Sequence, residues 1–206
     1  MLGLLVSVPI ACWRKGHARE YLETECLPPP ATCYGFLLAL IGEENRQRHS
    51  GARVTAGIVR AGEISAVLRT LWRVKDRKLL PGTKQNVRPD FQQLTTGSLL
   101  TIWVERGDEE VATCLEQRVR AALTNPGEID RFGGLSLGES THLVDSINEI
   151  TGEPPESEIF LLDAQGRMSL PVWVDHVGSV GTRYAVGNMV RTRLPDAVGL
   201  PVIRAT

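Results

Sequence analysis

The rhythm of hydrophobic and polar positions changes several times along the chain, and each change predicts an element. Residues 2–9 are rich in Leu and Val and read as a buried strand. Residues 12–25 form a polar connection of mixed charge, and Pro28, Pro29 and Pro30 then stop any regular element. Over residues 31–41 the apolar side chains fall nearly all round a helical projection. This predicts a buried helix, with Thr32 as N-cap and Gly42 as C-terminal stop. A polar, charged loop covers 43–53. Residues 53–59 and 64–75 read as two strands around a short turn at 60–63. Within residues 67–77 the pattern alternates. Leu68, Trp72 and Val74 share one face, and Arg69, Arg73, Lys75 and Arg77 share the other, with Leu71 between them. The expectation is an apolar side on a core and a basic side open to a partner.

Residues 76–97 read as a long polar insertion with Pro81, Gly82 and Pro89. In a compact domain that length marks a functional or disordered loop. Residues 99–105 are a further strand. Asp108 is placed to cap an amphipathic helix whose apolar face is Val111, Leu115, Val119 and Ala122. A Gly-rich loop over 125–139 follows. Asp145 and Glu149 are spaced as on the solvated face of a short helix. Residues 158–163 and 170–177 read as strands, the first ending in a turn at 163–166, and beyond Gly178 no period is evident. The order β-α-β-β-α-β predicts an α+β fold of ferredoxin-like type, one sheet face on the helices and the other free to bind.

Composition narrows the class. A chain of 206 residues with 42% hydrophobic content holds one domain, or one domain with a subdomain, around a core of ordinary size. Trp13, Trp72, Trp103 and Trp173 all sit in apolar or strand-like contexts and read as core. Cys12, Cys26, Cys33 and Cys114 form no C-x-x-C pair, so neither a zinc site nor a disulfide framework is indicated. They read as buried thiols of a cytoplasmic protein. The apolar start has no basic segment before it and stops at Arg14 and Lys15, so it reads as a first strand rather than a secretion signal. No run reaches the ~18–20 apolar residues of a membrane span.

Charge is the informative quantity. The whole chain sums to −1, yet residues 46–88 hold 11 Lys or Arg against only Glu63 and Asp76. Residues 1–100 sum to +6 and residues 101–206 to −7. Concentrated positive charge is the footprint of a polyanion partner. Candidate catalysis is thin by comparison. His17, His49, His142 and His176 share no ligand spacing, no Ser-His-Asp or Cys-His order is present, and no cofactor or metal is indicated. The segment with Gly133, Gly134 and Gly138 lacks the Lys-Ser/Thr of a phosphate-binding loop and no strand leads directly into it, but its glycines would let backbone approach a phosphate.

Behind the apolar first strand, the run over residues 28–42 resembles the N-terminal signature of the Cas five family, CRISPR-associated subunits of the type I interference complex, Cascade. The signature is a Pro-rich turn, a small hydroxylated residue, then Tyr-Gly-Leu/Phe opening the first helix. Pro29, Pro30, Thr32, Tyr34, Gly35 and Phe36 stand at those positions. Residues 132–139 are similar to the Gly-rich segment of this RAMP-type fold. The resemblance covers most of residues 1–180 and looks closest to short forms of type I-B or Myxan-type systems. It implies a ferredoxin-like domain over residues 1–150 with a β-hairpin thumb at about 76–97, and a small C-terminal β region over 151–206. It also implies a subunit that grips the 5′ handle of crRNA, packs on a Cas seven backbone subunit, lies near a Cas eight type large subunit and meets target DNA only indirectly, with no membrane partner. The implied RNA-binding set is Arg14, Lys15, Thr32, Tyr34, Arg69, Arg73, Lys75, Arg77, Lys78, Lys84, Arg88, Arg131, Phe132, Gly133 and Gly134. Phosphates would go to the basic side chains, and bases would stack on Tyr34 and Phe132. One branch of the family resembles a metal-independent ribonuclease using Tyr, Lys and His. His17, Tyr34 and Lys84 have those types, but no adjacent Lys-His pair exists, so the expectation is a binder with no catalytic residues. A basic domain that pairs with an acidic protein is a further alternative.

Overall fold

The computed structural model describes residues 1–16, 21–72, 75–175 and 180–205, with Leu71, Trp72 and Arg88 described by backbone alone. The described chain is a largely antiparallel sheet with two helices, an α+β fold. Its elements are β1 (Leu2–Ala11), β2 (Tyr21–Leu22), α1 (Pro30–Leu40), β3 (Arg53–Arg60), β4 (Glu63–Trp72), β5 (Val87–Glu105), α2 (Leu115–Thr124), β6 (Ser146–Glu149), β7 (Ser157–Leu162), β8 (Met168–Trp173) and β9 (Arg183–Thr192). The strands lie in the order β6-β1-β5-β3-β7-β9-β8, with β2 and β4 also paired to β5. Every pairing is antiparallel except β2 on β5.

Alternation decides which face meets the helices. Leu2, Leu4, Val6 and Val8 of β1, Leu100, Ile102 and Val104 of β5, and Val54 and Ala56 of β3 all point into one core with Leu37, Phe36 and Leu40 of α1 and Leu115 and Val119 of α2. α1 can be apolar nearly all round because both β3 and β8 pack against it. Trp173 lies against Tyr34 with ring centroids 6.4 Å apart. The opposite sheet face is only partly open, since Leu200 from the C-terminal segment closes over Trp103 and Ile159. None of the described helices is long and apolar enough to cross a membrane.

Several boundaries differ from the sequence reading. Pro29, not Thr32, takes the N-cap of α1, with Pro30 in the first turn where its missing N–H costs nothing. Gly42 does stop the helix, at φ +64. α2 begins at Leu115 rather than near Asp108. Its first N–H is accepted by the buried carboxylate of Glu109 at 2.8 Å, and the same oxygen accepts from His49 Nδ1 at 2.8 Å. Asp108 instead pairs with Arg204. Asp145 and Glu149 flank or end strand β6, not a helix, and the tail thought to be without period contains β9. Of the thiols, Cys26 is exposed while the other three are buried.

Strand β5 is far longer than its apolar part. Residues 87–97, expected in a loop, pair with β4 from Trp72↔Val87 to Glu63↔Thr96. Beyond Ala11↔Thr95, β5 leaves β1 behind, and the β4–β5 pair continues as an arm edged only by β2. One face of it is polar yet buried, through Asp90 and Gln92, and the other leaves Phe91 exposed.

The Gly-rich loop is anchored without a long strand. Trp13 Nε1 donates to the Leu137 carbonyl at 3.1 Å, and Leu137 and His142 close a turn through a 3.1 Å backbone bond. His142 Nδ1 accepts the N–H groups of Cys12 at 3.2 Å and Glu139 at 3.3 Å. Gly138 sits at φ +126, and a Cβ there would lie 3.2 Å from the Cys12 carbonyl and 3.3 Å from His142 Nδ1. Gly138→Ala is therefore expected to cost about 1–3 kcal/mol in urea unfolding. A pH effect follows from the same contacts. Burial lowers the His142 pKa, and Nδ1 must stay bare to accept. Below an unfolded value of 6.5 the unfolded chain takes a proton that the folded chain refuses. Stability from this group is complete above that pH and falls as pH drops through it. The urea midpoint is expected to decline between about pH 7.5 and pH 5.5, with a shallower decline in His142→Asn.

Candidate nucleic-acid interface

Two segments a hundred residues apart in sequence form the walls of one open groove of about 860 Å³. One wall is a face of α1, through Ala31, Thr32, Gly35 and Ala39. The other is the Gly-rich loop, through Ser136, Gly138, Glu139 and Ser140, with Trp13 and Arg14 at the end of β1. Arg46, Trp173 and Val174 close the third side.

Gly35 leaves the α1 wall bare. It is a helix-interior glycine, which costs about 1 kcal/mol relative to Ala. No neighbour demands it, since a Cβ there would meet nothing within 4 Å. Its missing side chain leaves room in the groove. Arg46 lies with its guanidinium 4.4 Å over the Trp173 ring and donates from Nη2 to the Val174 carbonyl at 2.8 Å. This presents a fixed cationic plane. Arg14 is exposed at the rim. Two carboxylates also reach the groove. Glu43 is held below the ordinary Glu range by its bond to Arg118, 2.5 Å away. Burial alone would raise the Glu139 carboxyl, but Arg69 and Gln92 outweigh it and hold it low.

Of the expected RNA-binding residues, the groove gathers Arg14, Thr32 and Tyr34. Tyr34 is not free to stack on a base. It is 3% exposed, its hydroxyl donates to the Arg46 carbonyl at 2.6 Å, and burial pushes its phenol pKa up. Lys15 lies beside the groove, 3.8 Å from Glu23. Arg131, Phe132 and Gly134 line a separate depression with Gly42 and Glu44, and Gly133 is exposed next to them. Phe132 is fully exposed there.

The basic strand face is the main correction. At Leu68 and Arg69 the expected burial is reversed, while the other described side chains of β4 stand exposed on both faces. Leu68 is 64% exposed and opposite it Phe91 is 55% exposed, in one ladder row with Tyr21. Arg69 faces the body instead. Its Nη1 pairs with Glu139 at 2.7 Å and with the Gln92 amide, and Gln92 donates to Glu139 at 2.9 Å. The arm has no second layer on its apolar side, so that side stays open, and the arginine finds its acid on the Gly-rich loop. Lys75, Arg77, Lys78 and Lys84 are exposed at the arm's tip. Arg73, Val74, His17 and His176 fall outside the described residues, and the side chains of Trp72 and Arg88 are not described. Arg46 and Trp173 are the groove residues that sequence reasoning missed, while Gly35 and Glu139 stood in its two motifs without a site role. Only tertiary contact joins them.

No family model matches the chain. A CRISPR-associated protein Cas5 from Myxococcus xanthus (strain DK1622) is 50% identical over 207 residues, covering 99% of this chain and 94% of that protein. Among solved structures, one described as a CRISPR RNA-guided surveillance complex aligns over 95% of this chain and 92% of its own, with a TM-score of 0.60 at 13% identity. A second, described as a crystal structure of a Cas protein, aligns over 94% of both chains with a TM-score of 0.51 at 16% identity. These two likenesses speak to the fold, whereas half-identity over nearly the full length speaks to descent: the chain belongs to the Cas5 family of CRISPR-associated proteins.

Proposed function

We propose that this chain is a non-catalytic subunit of a type I CRISPR surveillance complex and grips the 5′ handle of crRNA. The observation that carries the reading is the groove, which the Pro-Tyr-Gly start of α1 and the Gly-rich loop line together and which Gly35 leaves open. Single-stranded RNA is held by cations on its phosphates and by pockets or planes for splayed bases. Arg14 at the rim and Arg46 over the Trp173 ring provide one of each kind. The strand order β6-β1-β5-β3, with α1 and α2 in the two crossovers, supports a ferredoxin-like core, and β7 to β9 make up the small C-terminal region.

In this reading the β4–β5 arm is the thumb, longer than residues 76–97 and rooted at Glu63 and Thr96. Its open row of Leu68, Phe91 and Tyr21 is the surface for a backbone subunit, and its basic tip is for RNA. A large subunit would lie nearby, target DNA would be met through the assembled complex, and the setting would be cytoplasmic. The two described residues of the ribonuclease alternative do not come together. Tyr34 is occupied in the wall of α1, and Lys84 is on the arm's tip.

Two measurements test the reading. Purified protein mixed with labelled repeat RNA in EDTA is expected to retard the RNA without cleaving it. Cleavage at the 5′ boundary of the handle would replace the binder with a nuclease. The second separates binding from folding at one position. Gly35→Ala is expected to raise stability by up to about 1 kcal/mol. Gly35→Gln is expected to keep the fold and weaken handle binding about tenfold, the factor that 1.4 kcal/mol gives. Full affinity in Gly35→Gln would remove the groove from the RNA path.

A further inference from the structure

The tip of the arm, residues 75–86, has no sheet partner of its own, yet its backbone is not left to solvent. One side chain organises it. Asn86 is 1% exposed although most of its neighbours are exposed. Its Oδ1 accepts from the N–H groups of Lys75 and Asp76, both at 2.9 Å. Its Nδ2 donates to the carbonyls of Asp76 at 2.9 Å, Leu79 at 3.1 Å and Leu80 at 3.3 Å. All these partners are backbone atoms, so Asn86 replaces the ladder that a sheet would supply. Local bonds complete the frame. The Asp76 carboxylate accepts from the Lys78 N–H at 2.9 Å, and the Asn86 N–H donates to the Thr83 carbonyl at 2.8 Å.

The frame also holds a strained residue. Lys84 is at φ +43, the only left-handed non-glycine position among the described residues. Such a conformation costs about 1–2 kcal/mol for an ordinary residue and persists only where its surroundings over-determine it. Lys75, Arg77, Lys78 and Lys84 are all exposed around this frame, and none forms a salt bridge with a described acid. The single tip acid, Asp76, has its carboxylate turned onto backbone.

We infer that Asn86 is a positioning residue for RNA: it fixes the tip in the shape that sets these four cations against a run of phosphates. The inference rests on the RNA-binding reading above. A cation on a collapsed loop still attracts a polyanion, but it no longer makes a registered contact, and the salt dependence of binding counts registered contacts.

The test uses the full chain, labelled repeat RNA and trypsin. Asn86→Ala is expected to unfold cooperatively at nearly the original urea midpoint, because the arm's tip is outside the core. Tryptic cleavage after Lys75, Arg77, Lys78 and Lys84, read by mass spectrometry, is expected to accelerate at least about tenfold as the local opening free energy falls. RNA affinity is expected to drop about tenfold, and the slope of log K against log salt to shrink by up to about 3 for four lost contacts. Asn86→Asp keeps the acceptor and loses the donors, and is expected to fall between. Placed in a chain whose four tip cations are Gln, Asn86→Ala is expected to cost nothing more in RNA binding. Unchanged cleavage and affinity in Asn86→Ala would overturn the inference, as would a loss that adds fully to that of the neutralised tip. If the unsubstituted chain binds no repeat RNA, the function reading fails at its root. If it binds and Asn86→Ala binds equally with the same salt slope, only the role of Asn86 falls.

Discussion

Strand β5 is hydrogen-bonded to four other strands, and most of the molecule is arranged by that fact. Its C-terminal half lies between β1 and β3 and carries Leu100, Ile102 and Val104 into the core beneath the helices. Its N-terminal half pairs with β4 and β2 where neither helix covers it. The same polypeptide therefore passes from a covered sheet to an uncovered ribbon without a break in its ladder. The transition is eased where β3 shifts register between Ile58 and Arg60 and where Gly97 adopts φ +74. Apolar burial holds the inner half. The outer half depends on backbone pairing and on the polar contacts at its root and tip.

Those root contacts join the arm to the groove. Glu139 belongs to the loop that forms one groove wall, yet both its oxygens are engaged by arm residues, one by Arg69 and the other by Gln92. The loop in turn hangs from the end of β1 through His142 and Trp13. The half-buried Arg69–Glu139 pair is less exposed to screening than a surface pair. It leaves neither group an unpaired charge beside the groove. The net effect is a chain of short contacts from β1, through the Gly-rich loop, to the outer ribbon.

Much of the core was legible because its elements obey a single period. β1, α1, β7 and β8 announce themselves through runs whose spacing matches the layer that buries them. β9 does not, because Gly187 lies where the Leu161 backbone approaches too closely for a side chain, and Tyr184, Val186 and Val190 stay partly exposed. Residues 87–94 read as a loop for a different reason: the face that meets the body is polar, with Asp90 and Gln92 buried, and the apolar Phe91 is the exposed one, so no apolar period marks the strand. The alternation of Leu68 and Arg69 was visible, but which side meets the body depends on Glu139, seventy residues away. The groove was half legible. The α1 signature pointed to Thr32 and Tyr34, whereas the Arg46–Trp173 plane exists only because β8 crosses α1.

The bonds from Arg69 and Gln92 to Glu139 have an entropic consequence. An arm tethered only through its two strands would sample many orientations and would surrender that freedom on meeting a partner, at a cost of about 0.5–1.5 kcal/mol for each rotamer-rich side chain alone. Here three side chains at the root are already immobilised in the free chain. The ordering has been completed during folding, so association draws on contact energy that would otherwise be consumed in stilling the arm.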